Sequence, residues 1–405
     1  MPYDQIPSEA SLKVESFNCH VPDLQLEGFK FLLRVSPIGP QTYENQVADV
    51  NDYTSFGIHR TWLEDAKKYW LEEYNWRKTE DRFNTYNNYT TEIEDDGFKY
   101  NIHFIGLFSK KADAVPLLLT HGWPGSFIEF LDVLEEFKSK YDENSLPYHI
   151  IVPSLPGYAY SNGPPTDRNT TTEDAARILD KLMVGLGFGA GYVAQGGDVG
   201  SFTSRVLGTY DSCKAVHINL CIGVMPESEE EVKNMSATDQ KHMKRYNDFG
   251  TQGNAYARMH GTRPATIGLV LSSSPVALLA WVGEKFNQWS DKNPPLSQIL
   301  DDVTLYWFTS SFPRAIFGYR QFFAPVPQFF HSDPKYYIKK PFGYSLFPEE
   351  LAPVPVSLVK KTGNLIWHRE HESGGHFAAM EKPKEFVKDM EDFIAAAWNK
   401  PEAKM

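Results

Sequence analysis

The chain has 405 residues, with 40 Lys and Arg against 52 Asp and Glu, and so a formal net charge of −12. That length exceeds one ordinary core and suits a large α/β domain with an insertion, or two domains. A hydrophobic share of 41% excludes wholesale disorder, and the acidic balance repels phosphate backbones, which excludes nucleic acid as the main partner.

Near the start, Pro2, Asp4, Pro7 and Glu9 replace the basic-then-apolar run of a signal peptide. Residues 1–95 mix amphipathic helix patterns with loops and read as an N-terminal extension wrapping the core and cap. Within it, Trp62, Leu63, Ala66, Tyr69, Trp70 and Tyr74 fall at helical spacing, an apolar face that must pack on another part of the chain. From Tyr100 the texture changes. Ile102, Phe104 and Phe108 alternate as a strand, and short apolar runs follow at 115–119, 148–152, 191–194 and 215–220. Strands buried on both faces read this way, as in parallel sheets. Helical patterns at 127–137 and 175–186 separate the runs, so residues 96–224 form the first part of a doubly wound α/β core.

The alternation stops across residues 225–335, which read as a helical cap rich in Met, Tyr and Trp. Residues 264–283 are uncharged, but Ser272, Ser273, Ser274 and Pro275 break them midway, with Ser274-Pro275 predicted as a helix cap and first turn. The expectation is a chain without a membrane anchor. Strand, helix, strand and helix then resume at 342–347, 355–361, 364–368 and 384–398, making residues 336–405 the second part of the core. The predicted fold class is α/β, with a mostly parallel central sheet. Cys19, Cys213 and Cys221 form no C-x-x-C and read as reduced thiols. The sequons at Asn88, Asn169 and Asn234 read as chance matches. A cytoplasmic location is expected, with Ala403-Lys404-Met405 as a degenerate peroxisomal address.

Three glycine-bearing turns follow predicted strands. Gly196-Gly197-Asp198-Val199-Gly200 has the small neighbours that a strained strand-to-helix elbow needs, with Asp where many hydrolases place Ser. Thr120-His121-Gly122-Trp123-Pro124-Gly125 follows an earlier strand, so its backbone N–H groups and that of Val199 can face an oxyanion. Gly374-Gly375-His376-Phe377 puts a histidine after the last strand, in the order nucleophile, acid, histidine. The stretch from His371-Glu372 to His376 is one residue longer than the zinc-binding H-E-x-x-H, and Gly374-Gly375 break its helix, so no metal is expected.

The sequence resembles epoxide hydrolases of the microsomal type, soluble fungal members above all. Besides the three turns, Tyr74-Asn75-Trp76-Arg77, Ala378-Ala379, Tyr256 and Ser311-Phe312-Pro313-Arg314 through Tyr319 carry the resemblance over nearly the whole chain. It implies the α/β-hydrolase fold, a small apolar epoxide as substrate, a vicinal diol as product, no cofactor, a detoxifying role and a homodimer. Asp198 is implied as nucleophile, forming an alkyl-enzyme ester. Tyr256 and Tyr319 are implied as proton donors for the opening ring, His376 as the activator of water, and the Trp123 and Val199 amides as the oxyanion hole. The chemistry agrees, because a carboxylate is ionised at pH 7 and a phenol of pKa about 10 is a competent acid for an alkoxide.

For the acid that orients His376, Glu350 is expected over Glu370. It follows the strand at 342–347, whose end approaches the far ring nitrogen, and Phe347-Pro348-Glu349-Glu350 matches the family's F-P-x-acid pattern. A haloalkane dehalogenase would usually carry Trp where Val199 stands. A catalytically silent receptor on the same fold would not need Asp198, His376 and both tyrosines.

Overall fold

A computed structural model describes residues 2–52, 55–323 and 328–398. Among these, β1 (Val14–Ser16), β2 (Asn88–Asp95), β3 (Phe98–Leu107), β4 (Val115–Thr120), β5 (Tyr148–Pro153), β6 (Tyr192–Gly196), β7 (Cys213–Ile218), β8 (Ile338–Leu346) and β9 (Gly363–Glu370) form one sheet. Its order is β1-β2-β3-β5-β4-β6-β7-β8-β9. The apolar runs form its parallel part, from β5 through β4, β6, β7 and β8 to β9. Every residue of β4 and β6 is buried, which is why these strands are apolar without alternation. The fold is that of an α/β-hydrolase, with helices such as Leu131–Lys140, Thr172–Met183, Asp198–Leu207 and Pro383–Trp398 connecting or covering the strands.

The boundary expected at residue 95 falls at a β-hairpin. β2 pairs antiparallel with β3 from Asn88 opposite Ile105 to Asp95 opposite Phe98, and β1 pairs with β2. The first 95 residues therefore supply two strands of the sheet as well as helices. β2 escaped the hydropathy pattern because its buried positions include Thr91 and Asp95. Asp95 is held there by Arg177 at 2.7 Å and Lys181 at 2.9 Å.

Between β7 and β8 the chain is dominated by helices from Glu229–Lys233 to Ile316–Phe322. The aromatic face expected near residue 70 lies on helix Arg60–Glu72, with Tyr74 just past its end, and packs against this region. The Trp70 indole N–H donates to Thr304 Oγ1 at 3.0 Å, and the Tyr74 hydroxyl donates to Asp301 Oδ1 at 2.8 Å. Among the described residues no single helix is long and apolar enough to cross a membrane. Helices Pro264–Leu271 and Pro275–Trp289 meet at a 117° bend. Ser274 caps the second helix by accepting from the Ala277 N–H, and Pro275 opens it. The tripeptide Ala403-Lys404-Met405 lies outside the described residues.

Candidate active site

The three glycine-bearing turns converge at the carboxyl ends of their strands. β6 passes through Gly197 directly into helix Asp198–Leu207, with Asp198 at φ +44°. A non-glycine residue in this left-handed region is strained, and the surrounding packing must hold it there. Gly200 is part of that packing: a Cβ on it would lie 2.3 Å from the Thr120 carbonyl oxygen at the end of β4. The β4 turn comes as close from the other side, since a Cβ on Gly122 would lie 2.0 Å from Asp198 Oδ1.

Asp198 Oδ1 accepts the Trp123 backbone N–H at 2.7 Å, and its Oδ2 stands 3.1 Å from His376 Nε2. On the far side of the ring, His376 Nδ1 meets Glu350 Oε1 at 2.5 Å, and that oxygen also accepts the Leu351 N–H at 2.7 Å. Glu350 is fully buried, whereas Glu370 is exposed at the end of β9. Of the two glutamates weighed from the sequence, Glu350 is the one bonded to His376. His371 does not join His376 in a metal-like pair; its Nε2 lies 2.7 Å from Asp389 Oδ2.

The loop carrying His376 is fastened to the cap. The His376 N–H donates to the Trp289 carbonyl at 2.9 Å, and the Gly374 N–H donates to Asp291 Oδ2 at 3.0 Å. Glu381 accepts from the N–H groups of Asp291, Gly375 and Phe377 at 2.7, 3.2 and 3.1 Å. Sequence reasoning missed Glu381, because an acid on the helical turn Ala378–Glu381 reads as a solvated charge.

Burial would pull the His376 imidazole down, but the charges of Glu350 and Asp198 and their hydrogen bonds outweigh it and raise its pKa to about 10. His376 thus stands between the carboxyl groups of Asp198 and Glu350, one at each ring nitrogen. Burial also raises the Glu381 carboxyl to about 7, against the opposing pull of its backbone donors.

Above Asp198 opens a cavity of about 380 Å³, lined by Asp198, Val199, Phe202, Tyr256, Tyr319 and Phe322 among others. Both tyrosines are buried. The Tyr256 ring stacks on Trp123 at 5.2 Å between centroids, and Tyr319 meets Tyr256 edge-on at 5.8 Å. Burial, reinforced by Tyr256 and the Asp198 charge, holds the Tyr319 hydroxyl well above the usual phenol range, so it stays a neutral donor. Val199 follows Asp198 on the first turn of the helix and lines the same cavity. Trp123, Val199, Tyr256, Tyr319 and His376 thus gather around the Asp198 carboxyl, with Glu350 behind His376.

Residues 14–130 match the epoxide hydrolase N-terminus family, and residues 115–262 match the α/β-hydrolase fold family. A Dothistroma septosporum protein assigned as an epoxide hydrolase is 43% identical over 408 aligned residues, covering 100% of this chain and 95% of that protein. The structure of Aspergillus niger epoxide hydrolase is 48% identical with a TM-score of 0.91, over 98% of this chain and 100% of that one. Juvenile hormone epoxide hydrolase from the silkworm Bombyx mori is 26% identical with a TM-score of 0.79, over 96% of each chain. Fold, site and relatives agree, and the chain belongs to the epoxide hydrolase family of α/β-hydrolase-fold enzymes.

Proposed function

We propose that the chain converts a small apolar epoxide and water to a vicinal diol through a covalent ester on Asp198. The observation that carries this reading is the Asp198 carboxylate, bonded by the Trp123 N–H on one oxygen and by His376 on the other, below two buried tyrosines. Oδ2 attacks an epoxide carbon, the C–O bond breaks, and the departing oxygen takes a proton from Tyr256 or Tyr319. Oδ1, already bonded to Trp123, becomes the ester carbonyl oxygen.

Alkylation changes the electrostatics of the next step. Asp198 becomes a neutral ester, so one of the two carboxylates that hold the His376 proton is gone. The histidine gives up that proton as the phenolate recovers its own, and neutral His376 is left as a base oriented by Glu350. Water then attacks the ester carbon and passes a proton to Nε2, while the Trp123 and Val199 amides hold the oxyanion. Collapse expels the diol oxygen, which takes its proton from the imidazolium. The freed carboxylic acid returns its proton to His376 and restores the starting charges.

His376→Gln isolates the first half-reaction. Incubation with styrene oxide should add one substrate mass to the peptide bearing Asp198, and the adduct should persist. The absence of any adduct, both in this variant and in wild-type enzyme quenched during its first turnover, would overturn the ester reading.

A further inference from the structure

Asp198 also borders a second cavity, on the side of His376. This one offers about 20 Å³ to the centre of a water molecule and is lined by Gly122, Trp123, Glu129, Asp198 and His376 among others. That is room for one water. Among the residues named here, only Asp198 lines both cavities; the tyrosines line the larger one, and His376 and Glu129 the smaller. Two separate cavities thus meet at one carboxyl group, the larger with room for an epoxide and the smaller with room for a water.

Glu129 has no part in the chemistry described so far, yet the chain makes specific room for it. It sits on the 3-10 turn Phe127–Phe130, which Ser126 caps by accepting the Ile128 N–H at 3.2 Å while donating to Asp302 Oδ1 at 2.6 Å. A Cβ on Gly125 would lie 1.4 Å from Glu129 Oε1, so the carboxyl group occupies space that only glycine leaves at that position. Burial, with Asp302 adding to it and His376 opposing, holds the Glu129 carboxyl well above the usual carboxylate range. Burial likewise raises Asp302 to about 8. A neutral carboxylic acid offers one O–H donor and one carbonyl acceptor. It can hold a water in a fixed orientation without competing for the proton that His376 must take.

We infer that Glu129 is the positioning residue for the hydrolytic water, holding it in the small cavity between His376 and the Asp198 ester. The inference rests on the ester reading of Asp198. In the step concerned, the water oxygen bonds to the Asp198 carbonyl carbon, its proton passes to His376 Nε2, and Glu129 keeps its own proton throughout.

The test follows both half-reactions by quenched-flow mass spectrometry with styrene oxide in the full chain. Glu129→Leu removes both hydrogen-bonding groups. Gly125→Ala drives a methyl group into the place of the carboxyl, and so tests the same idea should the leucine variant not fold. In both, ester formation should stay within about twofold of wild type while ester decay slows at least about tenfold, a range open to a misplaced reactant. Glu129→Gln, which keeps a donor and an acceptor, should decay within about threefold of wild type. Wild-type decay in the leucine and alanine variants, or an equal loss in formation and decay, would overturn the assignment. A wild-type enzyme that forms no ester would instead overturn the reading of Asp198.

Discussion

Tyr256 and Tyr319 present two phenols to one cavity, and each can cover for the other because their rings lie 5.8 Å apart. Tyr256→Phe and Tyr319→Phe should each slow ester formation modestly. The double variant should lose most of the roughly 10²–10⁴-fold that general-acid assistance supplies, with ester decay largely spared. Wild-type ester formation in the double variant would remove both from the mechanism. The glutamates separate in the second half-reaction. Glu350→Gln leaves a fully buried amide where His376 needs a charge, so the variant should alkylate and then accumulate ester. Exposed Glu370 should tolerate Gln with near-normal turnover, and the opposite pattern would transfer the role.

The elements explain why these side chains stay in place. The His376 loop has little secondary structure of its own and borrows rigidity from the cap through Trp289 and Asp291, with Glu381 gathering three backbone N–H groups. Glu381→Ala leaves those donors without their acceptor, a loss of about 1–3 kcal/mol for a buried unsatisfied group. We expect a lower denaturation midpoint and faster amide exchange across residues 374–377; unchanged exchange would show that the loop holds itself. This also marks where the sequence stops being readable. β4, β6 and β7 announce themselves because burial on both faces demands continuous apolar runs, and the Asp198 elbow because its backbone demands glycines. Glu350 is legible from the strand before it and a family pattern. β2 hides behind buried Thr91 and Asp95: Thr91 donates to the Lys13 carbonyl, and Asp95 meets Arg177, 82 residues away in sequence. Glu129 and Glu381 look like surface acids on short helical turns, and only tertiary packing reveals what each faces.

At the scale of the molecule, the α/β core carries Asp198, His376 and Glu350, and the helical region between β7 and β8 carries Tyr256 and Tyr319. The N-terminal helix Arg60–Glu72 ties itself to the cap through Trp70 and Thr304. Proton linkage reaches this scale as well. His376 holds its proton to about pH 10 when folded, against 6.5 for the free group. Its contribution to stability is therefore complete below pH 6.5 and is lost as pH rises through about 10. Denaturant titrations of wild-type and His376→Gln enzyme should converge across that window, and a constant difference would refute the linkage.

The proposed covalent mechanism turns on the oxygen that Asp198 gives up. A single turnover of excess enzyme with styrene oxide in oxygen-18 water measures this directly. The first diol should carry no label, because its new oxygen comes from the Asp198 carboxylate, and the label should instead appear in Asp198. Label in that first diol would mean that water attacked the epoxide itself, and would contradict the covalent mechanism.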